Sequence, residues 1–255
     1  MSPLRSSIAT FKTRMKAMIL AAGRGVRLRP LTDRVPKALI EVGGVPMVEI
    51  VIKRLVAAGV TGAAVNLWHL GDQVEAFIKE RKGFGIDVRF FREEPLLDTG
   101  GGIKNAAGFL ADSEPFFVHN ADVLSEIDLN ALYRAHGKSG ALATLAVSDR
   151  PGPRRLLFDA SGRLAGREEA GGVLPRGARA MAFNGIHVLS PEIFAKMTET
   201  GVFSIITSYL RLAKEGEKLL AYDAGAARWL DIGTPEALKK ARAWWGIARQ
   251  GPSQA

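Results

Sequence analysis

The chain contains no cysteine. That excludes disulfides, thiol nucleophiles and cysteine-based zinc sites, and it permits a reducing compartment. No apolar run approaches the roughly 18 residues that a membrane-spanning helix needs. Residues 1–14 are basic and rich in Ser and Thr, but no apolar stretch of signal-peptide length follows them. They are expected to be a disordered extension, with Met15 as the functional start. Aromatic residues make up 7% of the chain and are not interleaved with basic ones, so the net charge of +9 does not read as a nucleic-acid surface. The four histidines show no metal-binding spacing. His69, His136 and His187 are expected to be surface or packing residues, and His119 either supports Asp122 or belongs to the core. There is no G-x-S-x-G, so no hydrolase elbow is expected.

What is present is an alternation of apolar strands and helical patterns. Strands are expected at 17–22, 63–67, 86–91, 115–119 and 141–147, and helices at 46–58 and 72–80. Pro46 falls near the first turn of its helix and Gly59 just past the end. This rhythm predicts an α/β fold, a mostly parallel sheet with helices on both faces. After about residue 150 the pattern changes. A hairpin is expected over 154–168, a long strand at 180–189, helices at 191–197 and 204–215, strands at 218–223 and 228–231, and a final helix at 234–246. With 255 residues and 47% hydrophobic content, a single domain over 15–246 is expected, with a polar, frayed tail at 247–255.

The most specific segment follows the first strand. Leu20, Ala21, Ala22, Gly23, Arg24 and Gly25 run into Arg27, Arg29-Pro30-Leu31-Thr32 and then Pro36-Lys37. Gly23 and Gly25 let the backbone approach an anion closely, and the arginines and Lys37 add positive charge there. The spacing is not G-x-x-x-x-G-K-[ST], and Leu28 stands where a dinucleotide fingerprint needs its third glycine.

Two acidic sites lie further on. Asp122 follows the buried strand 115–119, where ligands of open α/β sheets bind. A carboxylate there facing a phosphate loop calls for a cation between them, and Mg²⁺ suits it; the alternative is an Asx turn. Asp231 ends a short strand before Gly233-Thr234-Pro235, which opens the last helix, so Asp231 or Thr234 can instead be a cap. Asp98, Thr99, Gly100, Gly101 and Gly102 precede a helical stretch at 103–110. They can form a floor for a flat base and a helix start facing an anion, or simply a flexible loop.

The pattern L-A-A-G-x-G-x-R-[LM]-x-P-L-T…P-K, with W-x-D-[IV]-G-T-P at 229–235, resembles the sugar-1-phosphate nucleotidyltransferases, most of all their short bacterial members. The likeness runs from about Met15 to about Trp245. It implies a Rossmann-like mixed sheet divided into a nucleotide half (15–150) and a sugar half (151–246). It implies that an NTP and a sugar 1-phosphate give an NDP-sugar and pyrophosphate, with Mg²⁺ held by Asp122 and Asp231. Arg27, Lys37 and Asp122 would carry catalysis. Leu20, Ala21, Ala22, Gly23, Gly25, Glu94 and Gly100 would bind the nucleotide, and Thr99, Asn184 and Gly185 the sugar. UTP with N-acetylmuramate 1-phosphate is the expected pair, with GTP-dependent transfer to mannose or heptose 1-phosphate as the alternative. A catalytically inactive regulatory homologue and a non-sugar phosphate acceptor remain as further readings. A cytoplasmic monomer or small homo-oligomer, free of nucleic acid and membrane, is expected. One departure stands out: family members often carry Glu-Lys near 168–170, where the lysine grips the sugar phosphate, but this chain has Glu168-Glu169-Ala170.

Overall fold

The computed structural model describes residues 15–153, 155–169 and 174–250, with side chains described through Trp245. The expected extension 1–14, Ala170 and residues 251–255 of the tail lie outside these.

The strands in chain order are β1 (Lys16–Leu20), β2 (Glu41–Val42), β3 (Val45–Pro46), β4 (Gly62–Leu67), β5 (Asp87–Arg92), β6 (Phe116–Asn120), β7 (Val123–Ser125), β8 (Ala143–Ser148), β9 (Leu156–Phe158), β10 (Leu164–Arg167), β11 (Arg179–Leu189), β12 (Leu219–Asp223) and β13 (Trp229–Asp231). The helices are α1 (Met47–Ala57), α2 (Gly71–Glu80), α3 (Asp98–Asn105), α4 (Ala107–Leu110), α5 (Leu129–Ser139), α6 (Ile193–Lys196), α7 (Ile205–Lys214) and α8 (Pro235–Gln250).

Nine strands form one mixed sheet. Its parallel part has β1 at the centre, between β4 and β6, with β5 outside β4. The inner strands β1 and β4 are covered on both faces, which is why they read as apolar runs without alternation. Strand β11 then runs antiparallel to β6, β8 and β9, and β12 pairs parallel with β8. One face is packed by α1, α2 and α5, through residues such as Val51, Leu55, Ile78 and Leu132. The other is packed by α3, α4, α6 and α7, through Ile103, Phe109, Ile193 and Tyr209. The expected helices on both faces are present. A third apolar cluster joins α8 to the loops after β1, through Leu28, Ile40, Leu238 and Trp244.

The structure corrects the sequence reading at three places. Helix α3 begins at Asp98, so the three glycines lie inside it rather than before it. Glycine is a poor helix former, but here tertiary contacts decide. The N–H groups of Gly100 and Gly101 both donate to the Phe203 carbonyl, at 2.9 and 3.2 Å. Helix α5 had no counterpart in the sequence reading. Asp128 caps it by accepting from Ala131 N at 2.9 Å, Leu129, Leu132 and His136 face inward, and Gly140 ends it with φ of 62°. The last helix runs on to Gln250, past the expected end at 246. Among the described residues, no helix is long and apolar enough to cross a membrane.

Candidate active site

The carboxyl ends of β1, β4 and β6 open onto one cavity of about 340 Å³. It is lined by Leu20, Ala22 and Gly23 from the glycine loop, Asn66 from β4, Asn120 from β6, and Asp122. Asp98 and Thr99, from the start of α3, close another side. This is where parallel strands present loops and helix starts to a ligand.

The loop after β1 is held by its own sequence. Ala21 N donates to Asn66 Oδ1 at 2.7 Å, which ties the loop to β4. Gly23 faces open space, so nothing in the protein occupies the side where a Cβ would stand. Gly25 has φ of 64°, and a Cβ there would come within 2.7 Å of Thr32 Cγ2. Only glycine fits such a turn. The Thr32 hydroxyl closes it by donating to the Gly25 carbonyl at 2.9 Å. Arg24 lies over the Trp68 ring, and Arg29 pairs with Asp33, so neither joins the centre.

The centre is built by the pairing of β7 with β13. Asp231 lies opposite Val123, and Ile232 N donates to the Asp122 carbonyl at 3.0 Å. Two carboxylates far apart in sequence thereby become neighbours. Lys37 is buried, and its Nζ binds Asp122 Oδ2 and lies 3.4 Å from Asp231 Oδ1. A Cβ placed on Gly233 would lie 2.6 Å from Arg27 Nη2, 2.8 Å from Asp231 Oδ1 and 3.1 Å from Lys37 Nζ. Arg27, Lys37, Asp122 and Asp231 therefore meet at one place. Burial raises the Asp122 carboxyl above its ordinary range; the Lys37 ammonium opposes that rise and Asp231 adds to it.

Other expected residues are arranged differently. Glu94 is exposed and does not line the cavity. Its neighbour Glu93 is the buried one, accepting from Asn66 Nδ2 at 2.8 Å and Leu97 N at 2.9 Å. Glu93 thus fixes the asparagine that fixes the loop. Gly100 is not a floor for a base: a Cβ there would fall 2.4 Å from the Phe203 ring. Gly101 and Gly102 are equally closed, by the Gly201 carbonyl and by Glu93 with Asn66. The glycines serve close packing. Thr99 lines the cavity, and its hydroxyl oxygen accepts from Ile205 N at 2.9 Å.

Asn184 and Gly185 sit at an irregularity in β11, whose register with β8 shifts between Phe183 and His187. Such bulges re-aim side chains. Gly185 has φ of 71°, and the Asn120 amide lies where its Cβ would be, at 2.6 Å. Asn184 is fully buried; its Oδ1 accepts from Ser148 Oγ at 3.0 Å and its carbonyl from Trp229 Nε1 at 2.7 Å. The sequence reading missed Asn66, Glu93 and Asn120. For Asn66 a signal existed, since a lone polar residue near the carboxyl end of an otherwise apolar parallel strand needs a partner.

The sequence profile of the family described as Nucleotidyl transferase matches residues 16–244, and the chain belongs to that family. The resemblance first carried by residues 20–37 and 229–235 is borne out. An N-acetylmuramate alpha-1-phosphate uridylyltransferase from Neisseria meningitidis is 35% identical over 241 residues, covering 91% of this chain and 99% of the relative. A mannose-1-phosphate guanyltransferase from Eremothecium gossypii is 34% identical over 228 residues, covering 87% of this chain and 62% of the relative. In fold, a putative glucose-1-phosphate thymidylyltransferase from Bacillus anthracis superposes with a TM-score of 0.77 at 22% identity, covering 94% and 98% of the two chains.

Proposed function

We propose that the protein transfers a uridylyl group from UTP to N-acetylmuramate 1-phosphate or a close relative, releasing pyrophosphate. The observation that carries this reading is the meeting of Arg27, Lys37, Asp122 and Asp231 beside a cavity floored by the glycine loop. The full-length likeness to the Neisseria uridylyltransferase supports the choice of substrates. The likeness to the Eremothecium guanyltransferase keeps GTP with mannose or heptose 1-phosphate as the second reading.

The chemistry asks little of side chains as acids or nucleophiles. A sugar phosphate oxygen is already ionised at neutral pH and attacks the α-phosphorus in line, while pyrophosphate leaves. Catalysis is then positioning and charge stabilisation. The open face at Gly23 lets the triphosphate lie close to the backbone. Arg27 holds the departing phosphates, and Lys37 reaches the α-phosphate or the acceptor phosphate. Asp122 and Asp231 would hold Mg²⁺. The donor set fits: two carboxylates converge, and among the described residues no third Asp, Glu, His or Cys completes an all-protein cage. Mg²⁺ takes one or two carboxylates and leaves its other positions to water and substrate oxygens. When bound it neutralises phosphate charge and orients the reacting groups. In this reading 15–150 serve the nucleotide, 151–246 the sugar, and the enzyme works in the cytoplasm as a monomer or small homo-oligomer.

The test is pyrophosphate release with Mg²⁺, across four NTPs and a panel of sugar 1-phosphates. Release is expected with UTP and N-acetylmuramate 1-phosphate, and chelation of the metal should abolish it. Asp122→Asn and Lys37→Ala should fold and lose about 10²–10³ in turnover, as expected for removal of a charge-stabilising contact. Folded protein that binds nucleotide but releases no pyrophosphate with any pair would overturn the assignment in favour of a regulatory role.

A further inference from the structure

Beyond the residues already placed in the reaction, one cation near Asp231 makes no ion pair among the described residues. Arg150 follows β8 and is half-buried. Its guanidinium lies 3.8 Å from the centroid of the Trp229 ring, two residues before Asp231. Its Nη2 donates to the Phe183 carbonyl at 3.0 Å and its Nε to Asn184 Oδ1 at 3.3 Å. These bonds hold the plane of the group without giving it a carboxylate in direct contact. Among the described residues no carboxylate lies within ion-pair distance of Arg150. The neighbouring Arg155 differs, being neutralised by a two-pronged pair with Glu168 at 2.7 and 2.8 Å.

Three further facts mark this as a ligand position. Two concavities, of about 190 and 480 Å³, are each lined in part by Arg150, the second also by Asp149 and by the Arg155–Glu168 pair. The Asn184 Nδ2 beside the guanidinium is buried with no hydrogen-bond partner among the described residues. The Asp231 charge is felt at Arg150, where it opposes the lowering that burial causes. A half-buried cation with no carboxylate in direct contact is costly unless an anion arrives to meet it. A planar guanidinium stacked on an aromatic ring is preorganised for a two-oxygen anion.

We infer that Arg150 is the anion-binding residue for the acceptor, taking an oxyanion of the sugar 1-phosphate on the Trp229–Asn184 side of the carboxylate pair. This rests on the nucleotidyl-transfer reading above. The oxyanion is either the 1-phosphate or an acidic substituent on the sugar; both present the same chemistry to a guanidinium.

The experiment compares the full chain with Arg150→Gln and Arg150→Lys. The first removes the charge and keeps a hydrogen-bonding group; the second keeps the charge and guards against a folding failure. Steady-state KM for acceptor and for NTP is measured with neutral and acidic sugar 1-phosphates. Binding of glucose 1-phosphate, and of inorganic phosphate, is measured separately by calorimetry without NTP. Acceptor KM should rise about tenfold or more in Arg150→Gln, as for loss of charge-assisted hydrogen bonds, with NTP KM within twofold and partial recovery in Arg150→Lys. A rise with every acceptor identifies the 1-phosphate as the anion, and a rise with acidic sugars alone identifies the substituent. An unchanged acceptor KM, or equal rises for acceptor and NTP, overturns the inference while leaving the transfer reading intact. If the wild-type chain turns over no acceptor, yet binds glucose 1-phosphate or phosphate through Arg150, the transfer reading fails and the anion site stands. Absence of Arg150-dependent binding in that case removes both.

Discussion

Replacing His187 with phenylalanine should flatten the acid limb of the stability curve. Burial pushes the imidazoles of His119 and His187 down to about 3, and that of His136 to about 4. Secondary causes are the positive charge of Arg54 for His119 and the neighbouring His119 for His187, while Glu192 opposes the shift at His136. In the unfolded chain each imidazole protonates near its ordinary value of 6.5. Below that pH the unfolded state binds more protons than the folded one, so stability falls as pH falls. Each histidine contributes a slope of about 1.4 kcal/mol per pH unit, from pH 6.5 down to its folded value. Between pH 6.5 and 5 this is about 2 kcal/mol per histidine and about 6 kcal/mol for the three, comparable with the whole stability of a typical domain. His187 is the best residue to remove. Both its ring nitrogens are buried without a hydrogen-bond partner among the described residues, and it packs against Phe183 and Tyr209. His187→Phe should hold stability at pH 7.5 and gain about 2 kcal/mol over the parent at pH 5. Urea unfolding at a series of pH values measures this. Parallel curves for the two proteins, or a His187 imidazole titrating near 6 by NMR, would refute the reasoning.

Two other substitutions test the packing that builds the site. Gly233→Ala would drive a methyl group into Arg27, Asp231 and Lys37, so turnover should fall at least tenfold while the melting temperature moves little. Gly100→Ala would press on Phe203 inside the fold. It should cost about 1–3 kcal/mol by urea unfolding, against the slight gain expected if Gly100 lay in an open helix.

The candidate centre was legible because its parts are each exceptional in sequence. Arg27 and Lys37 stand in a loop of fixed glycines after a buried strand, and Asp122 and Asp231 each follow a short apolar run. Those combinations have few structural uses. The supporting residues were less legible for physical reasons. Whether Glu93 or Glu94 turns inward depends on how the chain leaves β5, and a shift of one residue reverses the face. The three glycines of α3 argue for a loop by intrinsic propensity, and only the approach of residues 201–205 makes them helical. Helix α5 did carry signals, in the Asp128 cap and the Gly140 stop, but Gly137 and its polar surface weaken the periodic pattern. Arg150 could not be singled out from sequence. Its distinction is its surroundings, which exist only once Trp229, Asn184 and Phe183 are gathered round it.

In chain order, the β7–β13 pairing is the last part of the candidate site to be made. All nine strands of the large sheet are complete by Asp223, and Arg27, Lys37 and Asp122 are already in place by then. Asp231 lies beyond that point, in a two-stranded clasp that α8 secures from behind through Leu238 and Trp244. A nascent chain halted after the sheet would hold a lysine balanced by a single carboxylate and no partner strand for β7.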